Sequence, residues 1–168
     1  MTESLSIALF THSVNPRGGV VHTLELAQAL QAQGHAVTVI APARPGQTFF
    51  RPVAGDSECV FLTGEPAARL ADDIGLRIHA IEQHLKSPGG LLQRRRFDIF
   101  HAQDPIGANA LANLRGQGLV PHFVRTVHHL DHFDDVQLAT WQERGYREAD
   151  AVLLSLIHIS EPTRPLYI

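Results

Sequence analysis

Three consecutive stretches near the start of the chain constrain its fold more than any other feature. "LSIALF" (Leu5–Phe10) is a short apolar run that suits a buried parallel strand. "VVHTLELAQALQAQG" follows, with Val20, Leu24, Ala27 and Leu30 or Ala29 at helical spacing, and Gly34 where a helix-ending glycine belongs. "HAVTVIAP" (His35–Pro42) is rich in β-branched residues and reads as a second strand. Strand, helix and strand over this length make a βαβ unit, whose two strands run parallel.

The alternation continues. "ARPGQTFFRPVAGDSE" has the Pro and Gly content of a loop, and "CVFLT" (Cys59–Thr63) is a short third strand. "EPAARLADDIGLRIHAIEQHL" (Glu65–Leu85) has a helical pattern, with Pro66 at an allowed first-turn position. "FDIFHA" (Phe97–Ala102) is the fourth strand. In "DPIGANALANLRGQG" Asp104 is a candidate N-cap and Pro105 the first helical residue. "HFVRTVHH" (His122–His129) is the fifth strand, Phe133–Ala149 a helix carrying Trp141 and Tyr146, and "DAVLL" opens a sixth strand. The expected fold class is α/β: a doubly wound, mainly parallel, Rossmann-like sheet in one domain, residues 1–153.

Composition narrows the function classes. A chain of 168 residues with 44% hydrophobic and 18% charged residues can bury a real core. Its net charge of −3 gives no global reason to expect nucleic acid. The single Cys59 cannot form an internal disulfide, which fits a reducing compartment. The start, "MTESLSIALF", lacks a basic region and does not read as a signal peptide, and no apolar stretch approaches the roughly 20 residues of a membrane span. The expected location is the cytoplasm. "RRRF" (Arg94–Phe97) leaves peripheral contact with an anionic membrane open, although a short charge run is more often a solvated face.

The chemistry centres on "NPRGGVVHTLELAQAL". Gly18 and Gly19 stand between the first strand and the first helix, where glycines let a ligand approach and helix N–H groups favour anions. A tight turn alone would explain them equally well. The stretch is neither GxGxxG nor GxxxxGK[ST], so the dinucleotide and P-loop fingerprints are absent.

"RGGVVHTLELAQALQAQGHAVTVIAP" resembles the opening of the retaining glycosyltransferases of family four, which have the GT-B fold. "FDIFHAQD" and "FVRTVHHLD" resemble their fourth and fifth strand ends, and "EADAVL" the strand before the domain linker. The resemblance covers Ser6 to Leu153 and implies the N-terminal half of a GT-B enzyme, acting on a nucleotide-sugar donor and an unknown acceptor without a metal or other cofactor. Carried over, it places Gly18 and Gly19 at the donor diphosphate and His128 beside the transferred sugar as the catalytic candidate, with His129 its competitor for that register. It also puts Asn15, Arg17, Gln103 and Asp104 on loops facing the acceptor. The C-terminal domain of that fold, with its paired-glutamate motif, has no counterpart in this sequence, so the chain alone is expected to be inactive.

Leu154–Arg164, "LSLIHISEPTR", matches one reading frame of a transposase-type sequencing-library adapter. Residues 154–168 are therefore expected to be a non-native tail, "EPTRPLYI" to pack poorly, and the native chain to continue past Leu153. With its cleft face exposed, the chain is expected to be marginally soluble. Two rival readings remain at this point. One is a stand-alone α/β domain binding a small anionic or sugar ligand. The other is a metal-dependent hydrolase using His12, His101, His128, His129, His132 and Asp131, although "HHLDH" lacks a tight metal-motif spacing. His22, His35, His79 and His84 are expected to be structural or surface residues.

Overall fold

The fold was obtained as a computed structural model, which describes residues 3–155. Its six strands form one sheet: β1 (Ser6–Phe10), β2 (Ala36–Ala43), β3 (Asp56–Phe61), β4 (Ile99–Ala102), β5 (Val124–Val127) and β6 (Ala151–Leu154). The strand order is β3-β2-β1-β4-β5-β6 and every pair is parallel. The order reverses between β1 and β4, which opens a crevice at their carboxyl ends, where doubly wound sheets bind ligands. The expected fold class is therefore observed. The expected tail beyond Ser155 lies outside the described residues, and Leu154 closes β6.

The period-two pattern of β1 divides the core. Ile7 and Leu9 pack with Leu24 and Ala27 of helix α1 (Gly18–Ala32) and with Val37 and Val39. Ala8 and Phe10 face the other way, into a larger cluster. That cluster joins α2 (Leu70–Lys86), α3 (Leu91–Arg94) and α4 (Pro105–Gly116), with Trp141 of α5 (Val136–Arg147) at its margin. Phe10, Leu9, Ile40 and Leu111 are fully buried, and each buried side chain of this size is worth about 1.5–3 kcal/mol.

Gly34 ends α1 as expected, with φ of 91°. Its N–H bonds the carbonyl of Gln31 and the next N–H, of His35, reaches Leu30, so the last carbonyls of the helix are satisfied. Asp104 caps α4 as expected, accepting a 2.9 Å hydrogen bond from the N–H of Gly107, with Pro105 opening the helix.

Two expected boundaries shift. Helix α2 begins at Leu70, not near Pro66. Gly64 adopts a left-handed φ of 79°, and its carbonyl accepts a 2.7 Å bond from Arg44, so the chain turns there and runs on as a connector. The helix starts where Asp72 and Asp73 can sit on its positive end. Strand β3 begins at Asp56, not Cys59, because it pairs with β2 from Thr38 onward. Gly55 permits this entry: at φ of 86°, a Cβ there would lie 2.4 Å from the carbonyl of Val37. The carboxylates that made residues 56–58 read as loop are paired laterally, Asp56 with Arg95 and Glu58 with Arg94 and His84.

Candidate functional site

The loop after β1 leads straight into α1 at the crevice. Arg17 is the N-cap residue, and its side chain makes no cap hydrogen bond. The first-turn N–H groups have no acceptor within a helix and are suited to a ligand or water. Gly18 faces open space. Gly19 is more confined: a Cβ added there would stand 3.8 Å from Cε1 of His12 and 3.8 Å from Cδ2 of His128. The glycine therefore keeps open a space between two histidine rings, one following β1 and one following β5. The ring of His22, exposed on α1, meets that of His128 edge-on at 4.6 Å between centroids, so this histidine belongs to the site's rim.

Behind His128 lies a buried polar chain. Nε2 of His128 is 2.9 Å from Oε1 of Gln103, Nε2 of Gln103 is 3.1 Å from Nε2 of His101, and that nitrogen is 2.7 Å from Oγ1 of Thr126. His101, Gln103 and Thr126 are all buried. Burial, and next the positive charge of Arg125, push His101 down from its ordinary value to about 4, so its ring is neutral near pH 7. Arg125 is itself buried, donates to the carbonyl of Thr126, and is lowered to about 10 by burial while Asp104 opposes the shift.

Beside this chain opens a cleft of about 630 Å³. Its inner wall carries His12, Ser13, Asn15, Arg17 and Asp104, and its outer wall carries Leu70, Ile74, Phe133, Leu138 and Trp141. Asp73 and Arg77 line it as a pair at 2.7 Å, and Arg77 also donates to the carbonyl of His12, which fixes the end of β1. Gln142 clamps the following loop by bonding both the N–H and the carbonyl of Asp131. Asp104 spends Oδ1 on its helix cap. Its Oδ2 is buried and, among the described residues, has no hydrogen-bond partner. Its negative charge supports the buried guanidinium of Arg125.

The glycosyltransferase family 4 model matches residues 16–154. This chain belongs to glycosyltransferase family 4. Among solved structures, one similar fold is an α-glucosyltransferase in complex with UDP and a 13-mer DNA containing an HMU base. It is 17% identical, covers 92% of this chain and 39% of its own, and has a TM-score of 0.50. Another is an α-glucosyltransferase with UDP and a 13-mer DNA containing a central A:G mismatch, also 17% identical, covering 90% of this chain and 37% of its own, with a TM-score of 0.50. At that identity the likeness concerns the fold alone, and this chain spans less than half the length of either. No curated protein matches.

In this family 4 chain the residues named from sequence fall into two groups. Gly19, next to Gly18, stands beside His128, which is bonded to Gln103. Asn15, Arg17 and Asp104 line the cleft. Both ends of the Gln103 amide meet histidines. His129 is exposed and lies 3.2 Å from Asp131. Sequence reasoning missed Thr126 and His22. The signal for Thr126 was present: His101/Gln103 and Thr126/His128 are i, i+2 pairs at adjacent strand ends, and such pairs share a face.

Among the described residues, no group of three His, Cys, Asp or Glu side chains could hold a metal ion, so the hydrolase reading lacks a donor set there. No helix among them is long and apolar enough to cross a membrane. Arg94 and Arg95, which raised the question of a membrane surface, are engaged with Glu58 and Asp56 near the amino ends of the strands, away from the cleft.

Proposed function

We propose that this chain is the acceptor-side domain of a glycosyltransferase that moves a sugar from a nucleotide-sugar donor to an acceptor hydroxyl with retention at the anomeric carbon. A second Rossmann-like domain would hold most of the nucleotide, and this chain alone would not turn over. The observation that carries the reading is Gly19, in the first turn of α1, with the rings of His12 and His128 on either side.

When the bond between the anomeric carbon and the diphosphate breaks, its electron pair stays on the diphosphate. The N–H groups of Gly18 and Gly19 and the positive end of α1 are suited to hold that charge, an interaction worth up to about 2 kcal/mol when partly buried. His128 would face the transferred sugar as a hydrogen-bonding side chain. The acceptor would lie in the neighbouring cleft, with hydroxyls donating to Oδ1 of Asn15 and accepting from the guanidinium N–H groups of Arg17.

The test is product analysis with a polypeptide that joins residues 1–153 to the second domain proposed above. UDP-sugars come first because the similar α-glucosyltransferases were solved with UDP. The expected product keeps the anomeric configuration of the donor, and the 168-residue chain gives none. Inversion at that carbon, or turnover by the short chain, would overturn the corresponding part of the proposal.

A further inference from the structure

The polar chain behind His128 has a direction. An amide offers one oxygen that only accepts and one nitrogen that only donates. Gln103 is buried between two imidazoles, with its oxygen at His128 and its nitrogen at His101. The oxygen can pair with Nε2 of His128 only if that nitrogen carries a proton. The amide nitrogen can pair with Nε2 of His101 only if that nitrogen is bare. The hydroxyl of Thr126, 2.7 Å from the same bare nitrogen, then shares that nitrogen's single lone pair with the amide.

We propose that Gln103 is a positioning residue that fixes the proton of neutral His128 on Nε2, with His101 and Thr126 as its foundation. Turning the amide over would require a bare Nε2 on His128 and a protonated Nε2 on His101. The reversed chain would break whenever His128 gained a second proton, whereas the observed one survives that gain. Arg125 adds a reason for a fixed foundation, since its buried charge opposes any proton added to His101. The ring of His22 meets that of His128 edge-on at 4.6 Å between centroids. The basic nitrogen of neutral His128 is then Nδ1, and the hydrogen-bonding character of its two edges is set before any ligand arrives.

The value of this device rests on His128 serving the donor sugar as proposed above, but its readout does not. Long-range ¹H–¹⁵N NMR of the uniformly labelled chain, at about pH 8 and so above the ordinary histidine range, reports the tautomer of each ring. His128→Asn identifies the signal by its loss. The expected result is His128 as the Nε2–H form, favoured by about tenfold or more. Gln103→Leu should bring the two tautomers toward parity. Gln103→Glu, whose oxygens accept from both rings, should leave His128 unchanged and switch His101 to Nε2–H. An Nδ1–H form of His128 in the wild-type chain, or an unaltered ratio in a folded Gln103→Leu chain, would overturn the proposal. If Gln103→Leu does not fold, the wild-type spectrum and Gln103→Glu decide. Absence of sugar transfer would refute the function without touching the tautomer result.

Discussion

Gly19 keeps open the space beside the ring of His128: a side chain of one carbon there would already be in van der Waals contact with Cδ2, at 3.8 Å. The contact is an ordinary one, so the fold itself can tolerate it. A ligand approaching the helix cannot share the space. Gly19→Ala should therefore melt within a few degrees of wild type, since helix propensity favours alanine by roughly 0.5–1 kcal/mol. Transfer by residues 1–153 joined to the proposed second domain should fall by about tenfold or more. A thermal melt and a turnover assay on the same preparation separate the two effects.

Asp104 carries two loads that substitution can divide. Asp104→Ala removes the cap of α4, a loss of about 1 kcal/mol read as a lower urea midpoint. Asp104→Ser should recover much of the cap, because a hydroxyl accepts the same N–H, while still lacking the buried Oδ2. A urea midpoint for Asp104→Ser between those of Asp104→Ala and wild type would follow, the remaining deficit being the charge lost opposite Arg125. Equal midpoints for Asp104→Ser and Asp104→Ala would show that the cap contributes nothing.

Stability should depend on pH through His101. Burial depresses the folded-state value from 6.5 to about 4, so between those limits the unfolded chain binds a proton that the folded chain refuses. The contribution is complete above the unfolded value and is lost as pH falls toward the folded one, by on the order of 3 kcal/mol. His84, also lowered chiefly by burial, acts in the same direction. Asp135 and Asp150, held low chiefly by backbone N–H groups, lose their contributions only at more acidic pH. Urea midpoints at about pH 7, 6 and 5 should fall in wild type and fall less steeply in His101→Gln.

Gly107 tests the packing of α4 on the sheet. A Cβ there would stand 2.7 Å from Cβ of Phe10, which is fully buried and cannot retreat. Gly107→Ala should destabilise the chain by about 1–3 kcal/mol despite its better helix propensity. A urea midpoint equal to that of wild type would show that the helix can shift without cost.

The sheet was legible because its central strands carry their own signal. β1 and β2 are buried on both faces, and Gly34, Asp104 and Pro105 punctuate helix ends through local chemistry. The edge was less legible, because β3 takes its pairing from β2 and its charge balance from Arg94 and Arg95, distant in sequence. The late start of α2 was also hidden, because the turn at Gly64 is held by Arg44, which is distant in sequence. In the site, Gly18, Gly19 and His128 followed from a family pattern. The role of Gln103 did not, since it depends on where β4 ends beside β5 and on which ring each end of the amide meets.

The central claim is that the space at Gly19 and His128 receives a nucleotide-sugar donor. The most direct measurement is release of nucleoside diphosphate by residues 1–153 joined to the proposed second domain, compared between wild type and Gly19→Val. The account predicts donor-dependent release in wild type and a loss of about a hundredfold or more in the variant, with both proteins folded. No release from any nucleotide sugar, or equal release by the two proteins, would contradict it.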